Sequence, residues 1–365
     1  MKLSVEKDVL LEALQKVQSI VGQRSTLPIL SNVLLKAAGD TVSLTTTDME
    51  VCVKTGATAD IAEEGGTTLP ARRFFSICRE LPSGHQIEIE VDAKDVATIR
   101  CGAAFFKLVG LPEDEFPPLP EFEENQVYTI EQDAFKSMLQ KVLYAASTDE
   151  TRYILNGALL SFKDEKLTIV ATDGRRLALV EQEIEFPESA AASIVVPTKT
   201  LNELIKTLNS EGTLKIRVNA TQIAFDFDRI LIISKLIDGV YPNFQQVIPS
   251  QCEERVAIDR ETILNAVRRV SLLTDDQTAS VRLNFGKNKL ELVTNSPEIG
   301  EARETIPVKY EGKDISIAFN PGFLQAPLRH LDSDEIFFEL SDELSPGVIK
   351  TSVPFLYVLM PIRVS

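Results

Sequence analysis

The chain repeats one order of apolar and polar positions three times. Leu10, Leu14 and Val17 fall at helical spacing within residues 6–20. Phe135, Met138, Leu139 and Val142 do so within residues 133–146, and Ile263, Ala266, Val267 and Val270 within residues 259–270. A second set of amphipathic runs covers residues 71–80, 198–208 and 321–331. Between them lie alternating, strand-like runs such as 41–46, 87–91, 96–100, 158–162, 166–170, 222–227, 230–235 and 335–340. Each third therefore reads as helix, strands, helix, strands. Asp133 and Asp259 stand where N-caps are wanted, and Glu261 is a helix-start acid. Pro321 suits a first helical turn, whereas Pro327 predicts a kinked or short last helix.

Two landmarks share the period. Thr-Asp or Thr-Asn pairs begin at Thr47, Thr172 and Thr294, which are 125 and 122 residues apart. The second helices start at Pro70, Pro197 and Asn320, which are 127 and 123 apart. Two independent spacings with one period predict three divergent copies of a module, divided as residues 1–122, 123–250 and 251–365. The order of elements is β-rich α+β, not strict βαβ alternation. In the second copy, Lys166–Val170 runs as a strand into Thr172-Asp173-Gly174, a tight-turn signal.

Composition adds limits. Apolar residues make up 44% of 365 and charged residues 25%, ordinary for a folded chain. No window of about 18 apolar residues predicts a membrane span, and the first residues do not resemble a signal peptide. Cys52, Cys78, Cys101 and Cys252 have neither metal nor redox spacing, which predicts reduced thiols and a cytoplasmic protein. The net charge of −16 argues against simple electrostatic wrapping of nucleic acid. The six helical runs, however, hold 13 Lys/Arg against 8 Asp/Glu, and the remainder holds 25 against 46. The helices are the basic part of an acidic chain, a bias that fits both ordinary solvated faces, where Lys and Arg are good helix formers, and a helical surface facing phosphate.

Several segments carry a resemblance. They are Thr26–Asn32, Pro70–Phe75, Arg152–Gly157, Ala171–Leu177, Ser234–Gly239 and Tyr357–Arg363, the last ending Met-Pro-Ile-Arg. On these the chain resembles, end to end, the beta subunits of bacterial DNA polymerase III, the sliding clamps. The resemblance implies an α+β fold of three tandem DNA-clamp modules, each with two helices packed on antiparallel sheets. It implies a head-to-tail homodimer, a six-module ring with helices lining a hole around double-stranded DNA. It further implies a non-catalytic processivity factor without cofactor or metal, nucleoid-associated in the cytoplasm. Such a ring tethers replicative and translesion DNA polymerases and repair proteins, and an ATP-dependent clamp loader opens it.

The resemblance also implies sites. A partner-peptide pocket for a Gln-Leu-x-Leu-Phe type motif maps to Arg152, Leu155, Thr172, Gly174, Arg175, Arg176, Leu177, Pro242 and Val247. It continues with Asn320, Phe323, Leu344, Val358, Met360, Pro361, Ile362 and Arg363. Apolar side chains there suit Leu and Phe anchors, and Met360 is adaptable enough to serve several partners. Arg175, Phe323 and Pro346 stand where His, Tyr and Ser are common in the family, departures that bear on partner preference. DNA contacts map to Arg24, Arg72, Arg73, Arg152, Tyr153 and Lys199, although the loop at Ser147–Glu150 is unusually acidic. A dimer seam joins residues 105–108 to residues 301–306 of the second subunit, with Phe106, Leu108, Leu272, Leu273 and Arg303 as contacts.

The sequence has two rival readings. Catalysis at Asp173 lacks a converging set: the only histidines are His85 and His330, there is no Gly-rich phosphate loop, and Asn295 replaces the acid in the third copy. A protein-binding scaffold without DNA encirclement is the other, and it differs in assigning no role to the basic helices.

Overall fold

The computed structural model of the chain describes residues 1–21, 27–118, 122, 126–274 and 280–363; Arg24 and the Leu119-Pro120 end of the first junction lie outside them. The first copy runs β1 (Lys2–Glu6), α1 (Lys7–Val17), β2 (Asn32–Ala38), β3 (Thr41–Thr47), β4 (Val51–Thr58), β5 (Asp60–Glu63) and β6 (Gly65–Pro70). It ends with α2 (Ala71–Glu80), β7 (Gln86–Val91), β8 (Val96–Cys101) and β9 (Ala104–Val109). The second has β10 (Gln126–Glu131), α3 (Gln132–Val142), β11 (Gly157–Lys163), β12 (Lys166–Thr172) and β13 (Arg176–Glu183). It continues through β14 (Ala192–Pro197), α4 (Thr198–Thr207), β15 (Thr213–Val218), β16 (Gln222–Phe227) and β17 (Ile230–Lys235). The third has β18 (Glu254–Asp259), α5 (Arg260–Val270), β19 (Val281–Gly286), β20 (Lys289–Ser296) and β21 (Gly300–Pro307). It closes with β22 (Ile315–Phe319), α6 (Pro321–His330), β23 (Glu335–Leu340), β24 (Gly347–Lys350) and β25 (Phe355–Leu359).

One plan thus recurs, with one correction to the expected order: every copy opens on a strand, not a helix. β1, β10 and β18 are short alternating segments that bury Leu3 and Val5, Tyr128 and Ile130, or Val256 and Ile258. Each runs straight into a helix with no Gly or Pro to mark the change. The third copy differs at its hairpin. Strands β3 and β12 stop at Thr47 and Thr172, but β20 continues through Thr294-Asn295-Ser296, paired as far as Ser296 against Gly300.

Contacts gather the chain into two compact units, Met1–Asp133 with Asn202–Leu236, and Ala134–Leu201 with Ile237–Ser365. In the first, an eight-stranded antiparallel sheet has the order β10-β15-β16-β17-β4-β3-β2-β6, beside a five-stranded sheet β5-β1-β7-β8-β9. In the second, an eight-stranded sheet runs β14-β11-β12-β13-β25-β24-β23-β18, beside a four-stranded sheet β21-β20-β19-β22. Each large sheet joins two copies edge to edge. β4 pairs with β17, placing Cys52 opposite Ile233, and β13 pairs with β25, placing Leu177 opposite Val358. The third strands of this kind, β9 and β21, are left as sheet edges.

The helices bury the stripe their spacing demands: Leu10, Leu14 and Val17 on α1, and Ile263, Ala266, Val267 and Val270 on α5. Each of the Leu, Ile and Val side chains contributes about 1.5–3 kcal/mol on leaving water. α1 packs on α2, and α5 on α6. Asp259 caps α5, accepting from the Thr262 amide at 2.7 Å. Asp133 does not cap α3; the helix already begins at Gln132, so the carboxylate acts within the first turn. The six helices hold 13 Lys/Arg and 6 Asp/Glu, a stronger basic bias than the longer predicted segments showed. Among the described residues no helix is long and apolar enough to cross a membrane.

Pro327 does not shorten α6, whose ten residues equal those of α2 and α4. The missing N–H of Pro327 frees the carbonyl of Phe323 one turn back, and the Tyr357 hydroxyl donates to that carbonyl at 2.9 Å. Tyr357→Phe therefore leaves a part-buried acceptor without this donor. We expect a loss of roughly 1–3 kcal/mol in urea unfolding, whereas an unchanged midpoint would show that this bond does not support the helix.

Candidate functional site

The turn between β12 and β13 is built by its own side chains. Thr172 Oγ1 donates to the Arg176 carbonyl at 2.6 Å and accepts from the Gly174 amide at 3.1 Å. Asp173 Oδ1 accepts from the amides of Arg175 and Arg176 at 2.9 and 3.0 Å, and its Oδ2 takes Arg176 Nε at 3.0 Å. Gly174 has φ +84°, a conformation that penalises side chains, and a Cβ there would stand 3.0 Å from Arg152 Nη1. That nitrogen donates to the Asp173 carbonyl at 2.8 Å. Asp173 is thus consumed in shaping a turn, the outcome expected for a structural rather than a catalytic acid.

The same turn aims a cation at an aromatic wall. The Arg176 guanidinium lies 4.3 Å over the Phe323 ring and 6.0 Å from the Tyr144 ring centre. Phe323 is held because Asn320 caps α6, accepting from the Phe323 amide at 3.1 Å. Tyr144 and Tyr357 are packed at 6.0 Å, and burial pushes both phenols up from their ordinary value.

After β25 the chain stays attached to two elements: the Met360 amide donates to the Arg175 carbonyl at 3.0 Å and the Ile362 amide to Ala318 at 2.8 Å. The floor beside it is apolar. Leu155, Leu177 and Val358 are buried in one cluster with Val170 and Tyr241, and Phe244 and Ile248 pack against it. Tyr241 donates to the Val170 carbonyl at 3.4 Å, and burial raises its phenol. Between Phe244 and Ile248 stands Val247, 47% exposed; Met360 is 43%, Ile362 36% and Leu344 62% exposed. Leu344 sits on a loop fixed by Asp342, which accepts from the Leu344 and Ser345 amides at 2.8 and 2.7 Å; these bonds hold its carboxyl below the usual range. Pro242, Arg175 and Arg363 are exposed and Pro361 half-buried. The expected pocket residues therefore fall within one unit, as a buried apolar floor with an exposed apolar and cationic rim. An exposed apolar group of this kind marks a binding surface. Tyr144, Tyr241 and Tyr357 complete it but were not foreseen, since isolated tyrosines in apolar runs look like ordinary core.

The other expected residues are distributed differently. Arg72 and Arg73 lie exposed in the first turn of α2, and Lys199 exposed in the first turn of α4; neither turn carries an acid. Cations there oppose the helix macrodipole at about 0.3–1 kcal/mol each, a cost that bound anions would offset. Arg72 also donates to the Val21 carbonyl at 3.2 Å. Tyr153 is 62% exposed, and Arg152 is engaged with the pocket turn. Asp149 caps the short helix Glu150–Asn156 through Thr151, whose side-chain and backbone bonds hold its carboxyl low. The acid of that loop thus has a structural use.

On edge strand β9, Phe105 and Phe106 are 54% and 36% exposed, but Leu108 is 7% exposed and faces its own core, which corrects its assignment as a contact. Leu272 is 79% exposed and Leu273 half-buried. On β21, Arg303 is exposed and paired with Glu301, while Glu304 takes Arg269 Nε at 2.8 Å.

Comparison with known proteins agrees with this architecture along the whole chain. The DNA polymerase III beta subunit N-terminal domain family matches residues 1–120, the central domain family residues 129–243 and the C-terminal domain family residues 245–363. The beta sliding clamp of Escherichia coli K12 is 34% identical over 367 residues, covering all of both chains. That of Chlamydia muridarum is 32% identical over all of this chain and 99% of its own. The crystal structure of the DNA polymerase III subunit beta from Pseudomonas aeruginosa superposes with a TM-score of 0.96 at 32% identity, and the sliding clamp from Bacillus subtilis does the same; both are covered completely. A non-catalytic clamp built from three tandem α+β modules is the class these observations define. The chain belongs to the DNA polymerase III beta subunit family, the bacterial beta sliding clamps.

Proposed function

We propose that two copies join head to tail, β9 of each against β21 of the other, closing six modules around double-stranded DNA. The observation that carries this reading is the pairing rule inside the chain. β4–β17 and β13–β25 join neighbouring copies, and among the described residues β9 and β21 are the strands of each kind without such a partner. A second copy supplies both missing partners, and a heterologous contact used twice closes on itself. The copies divide at 122/123 and 250/251. Phe106, Leu272, Leu273 and Arg303 form the side-chain contacts of the seam.

The ring holds DNA by topology, so strong phosphate affinity is unnecessary, and the acidic remainder of the chain disfavours stray contacts. Arg72, Arg73, Arg152, Tyr153 and Lys199 face the duplex, and Arg24, outside the described residues, is assigned with them from the sequence alone. The socket from Arg152 to Arg363 receives a Gln-Leu-x-Leu-Phe type motif of replicative and translesion polymerases and repair proteins. An ATP-dependent clamp loader opens the seam, and the ring works in the cytoplasm at the nucleoid.

Reversing Arg72, Arg73 and Lys199 to Glu tests the DNA role. We expect processive synthesis on primed circles to fall severalfold while peptide binding is unchanged. Unchanged processivity would leave a protein-binding scaffold as the better reading.

A further inference from the structure

The first unit contains a second copy of the turn that shapes the socket. Thr47 Oγ1 donates to the Val51 carbonyl at 3.0 Å and accepts from the Met49 amide at 3.1 Å, as Thr172 does with Arg176 and Gly174. Asp48 Oδ1 accepts from the amides of Glu50 and Val51 at 3.0 and 2.8 Å, as Asp173 does from Arg175 and Arg176. The Lys235 amide donates to the Glu50 carbonyl at 2.9 Å, as Met360 does to Arg175. Cys52 stands opposite Ile233 as Leu177 stands opposite Val358.

Beside this turn is an open cavity of about 170 Å³, lined by Met49, Val51, Cys52, Pro117, Pro118 and Ile233, with Glu50 and Lys235 among its polar residues. That is the scale of an apolar cavity of ~150 Å³ that holds a benzene ring. Burial pushes the Cys52 thiol up to about 11, so at neutral pH it presents an apolar S–H rather than a thiolate. Met49 adds a second observation. It has φ +77° where the socket turn has Gly174 at +84°, and its side chain is 49% exposed. An unbranched apolar residue in the left-handed region is strained, and such strain concentrates at binding and switch positions. Methionine is also adaptable at surfaces that receive other side chains.

We propose that this cavity is a second docking site, which takes one aliphatic or phenyl anchor of a partner peptide flanked by a basic and an acidic residue. Charge selects that occupant. Glu50 replaces Arg175 of the socket and attracts the basic flank; Lys235 replaces Met360 and attracts the acidic one. The two sites therefore discriminate between ligands. The inference uses from the socket only the premise that such a turn and strand pair receive an apolar anchor.

The sequence supplies its own reporters. Its four methionines are Met1, Met49, Met138 and Met360, so methyl-labelled methionine places one probe at each site. Full-length protein, with resonances assigned by Met49→Leu and Met360→Leu, would be titrated with acetyl-Lys-Leu-Leu-Glu-amide and separately with acetyl-Gln-Leu-Ser-Leu-Phe. We expect the first peptide to move the Met49 methyl saturably and leave Met360 in place. Glu50→Lys should weaken that binding about fivefold, the scale of an exposed ion pair. A Met49 methyl unmoved at millimolar peptide, a response of Met360 alone, or indifference to Glu50→Lys would overturn the second site. Failure of the second peptide to move Met360 would overturn the socket instead, whatever Met49 does.

Discussion

Removing residues 360–365 abolishes binding of a Gln-Leu-Ser-Leu-Phe peptide while leaving the third module folded. The segment carries Met360 and Ile362, two of the exposed apolar side chains at the rim, and the exposed charge of Arg363. Burying the apolar pair against a ligand is worth a few kcal/mol, and each 1.4 kcal/mol is tenfold in affinity. A loss beyond about a hundredfold is therefore expected by fluorescence anisotropy. The cost to the fold is smaller. Deletion breaks the amide bonds to Arg175 and Ala318, each worth about 0.5–1.5 kcal/mol, but β25 ends at Leu359 and keeps its pairing with β13 and β24. A melting curve lowered by only a few degrees, together with lost binding, is the expected pair of results. Undiminished binding would remove the C-terminal segment from the socket.

Leu272→Ala combined with Leu273→Ala yields folded monomers. Neither leucine belongs to the buried stripe of α5, and Leu272 is 79% exposed, so their own core loses little. In the proposed seam they meet Phe106 of the neighbouring copy, and truncating both removes roughly 2–5 kcal/mol per seam. A head-to-tail dimer has two seams, which doubles the loss. Light scattering at low micromolar concentration should report one chain per particle, with the circular dichroism of the folded chain retained. An intact dimer would show that the seam lies elsewhere.

Much of this was legible in the sequence because the physics is local. The helical stripes of α1, α3 and α5 set their positions to within a few residues, and the repeat spacing exposed the three copies before any element was placed. The turn chemistry of Thr172-Asp173-Gly174 was readable for the same reason: its hydrogen bonds run between neighbours in sequence. What was not legible depended on partners far along the chain. Pro327 looked like a helix breaker because nothing nearby hints that Tyr357 will satisfy the freed Phe323 carbonyl. The resemblance placed Leu108 in the seam with the rest of its strand, and only the three-dimensional sheet shows that its side chain turns inward. The opening strands β1, β10 and β18 went unread, since five or six alternating residues carry little signal without a turn to bound them. The tyrosines around Arg176 were invisible as a group because residues 144, 241 and 357 share no spacing.

A closed, mobile ring is held only on DNA without ends, and retention on DNA tests that most directly. The protein would be loaded onto nicked circular duplex with its clamp loader and ATP, and the circle then cut once. Retention on circles with loss from the cut ends is the predicted result. Equal retention on circular and linear DNA would mean ordinary binding to the duplex and would contradict encirclement.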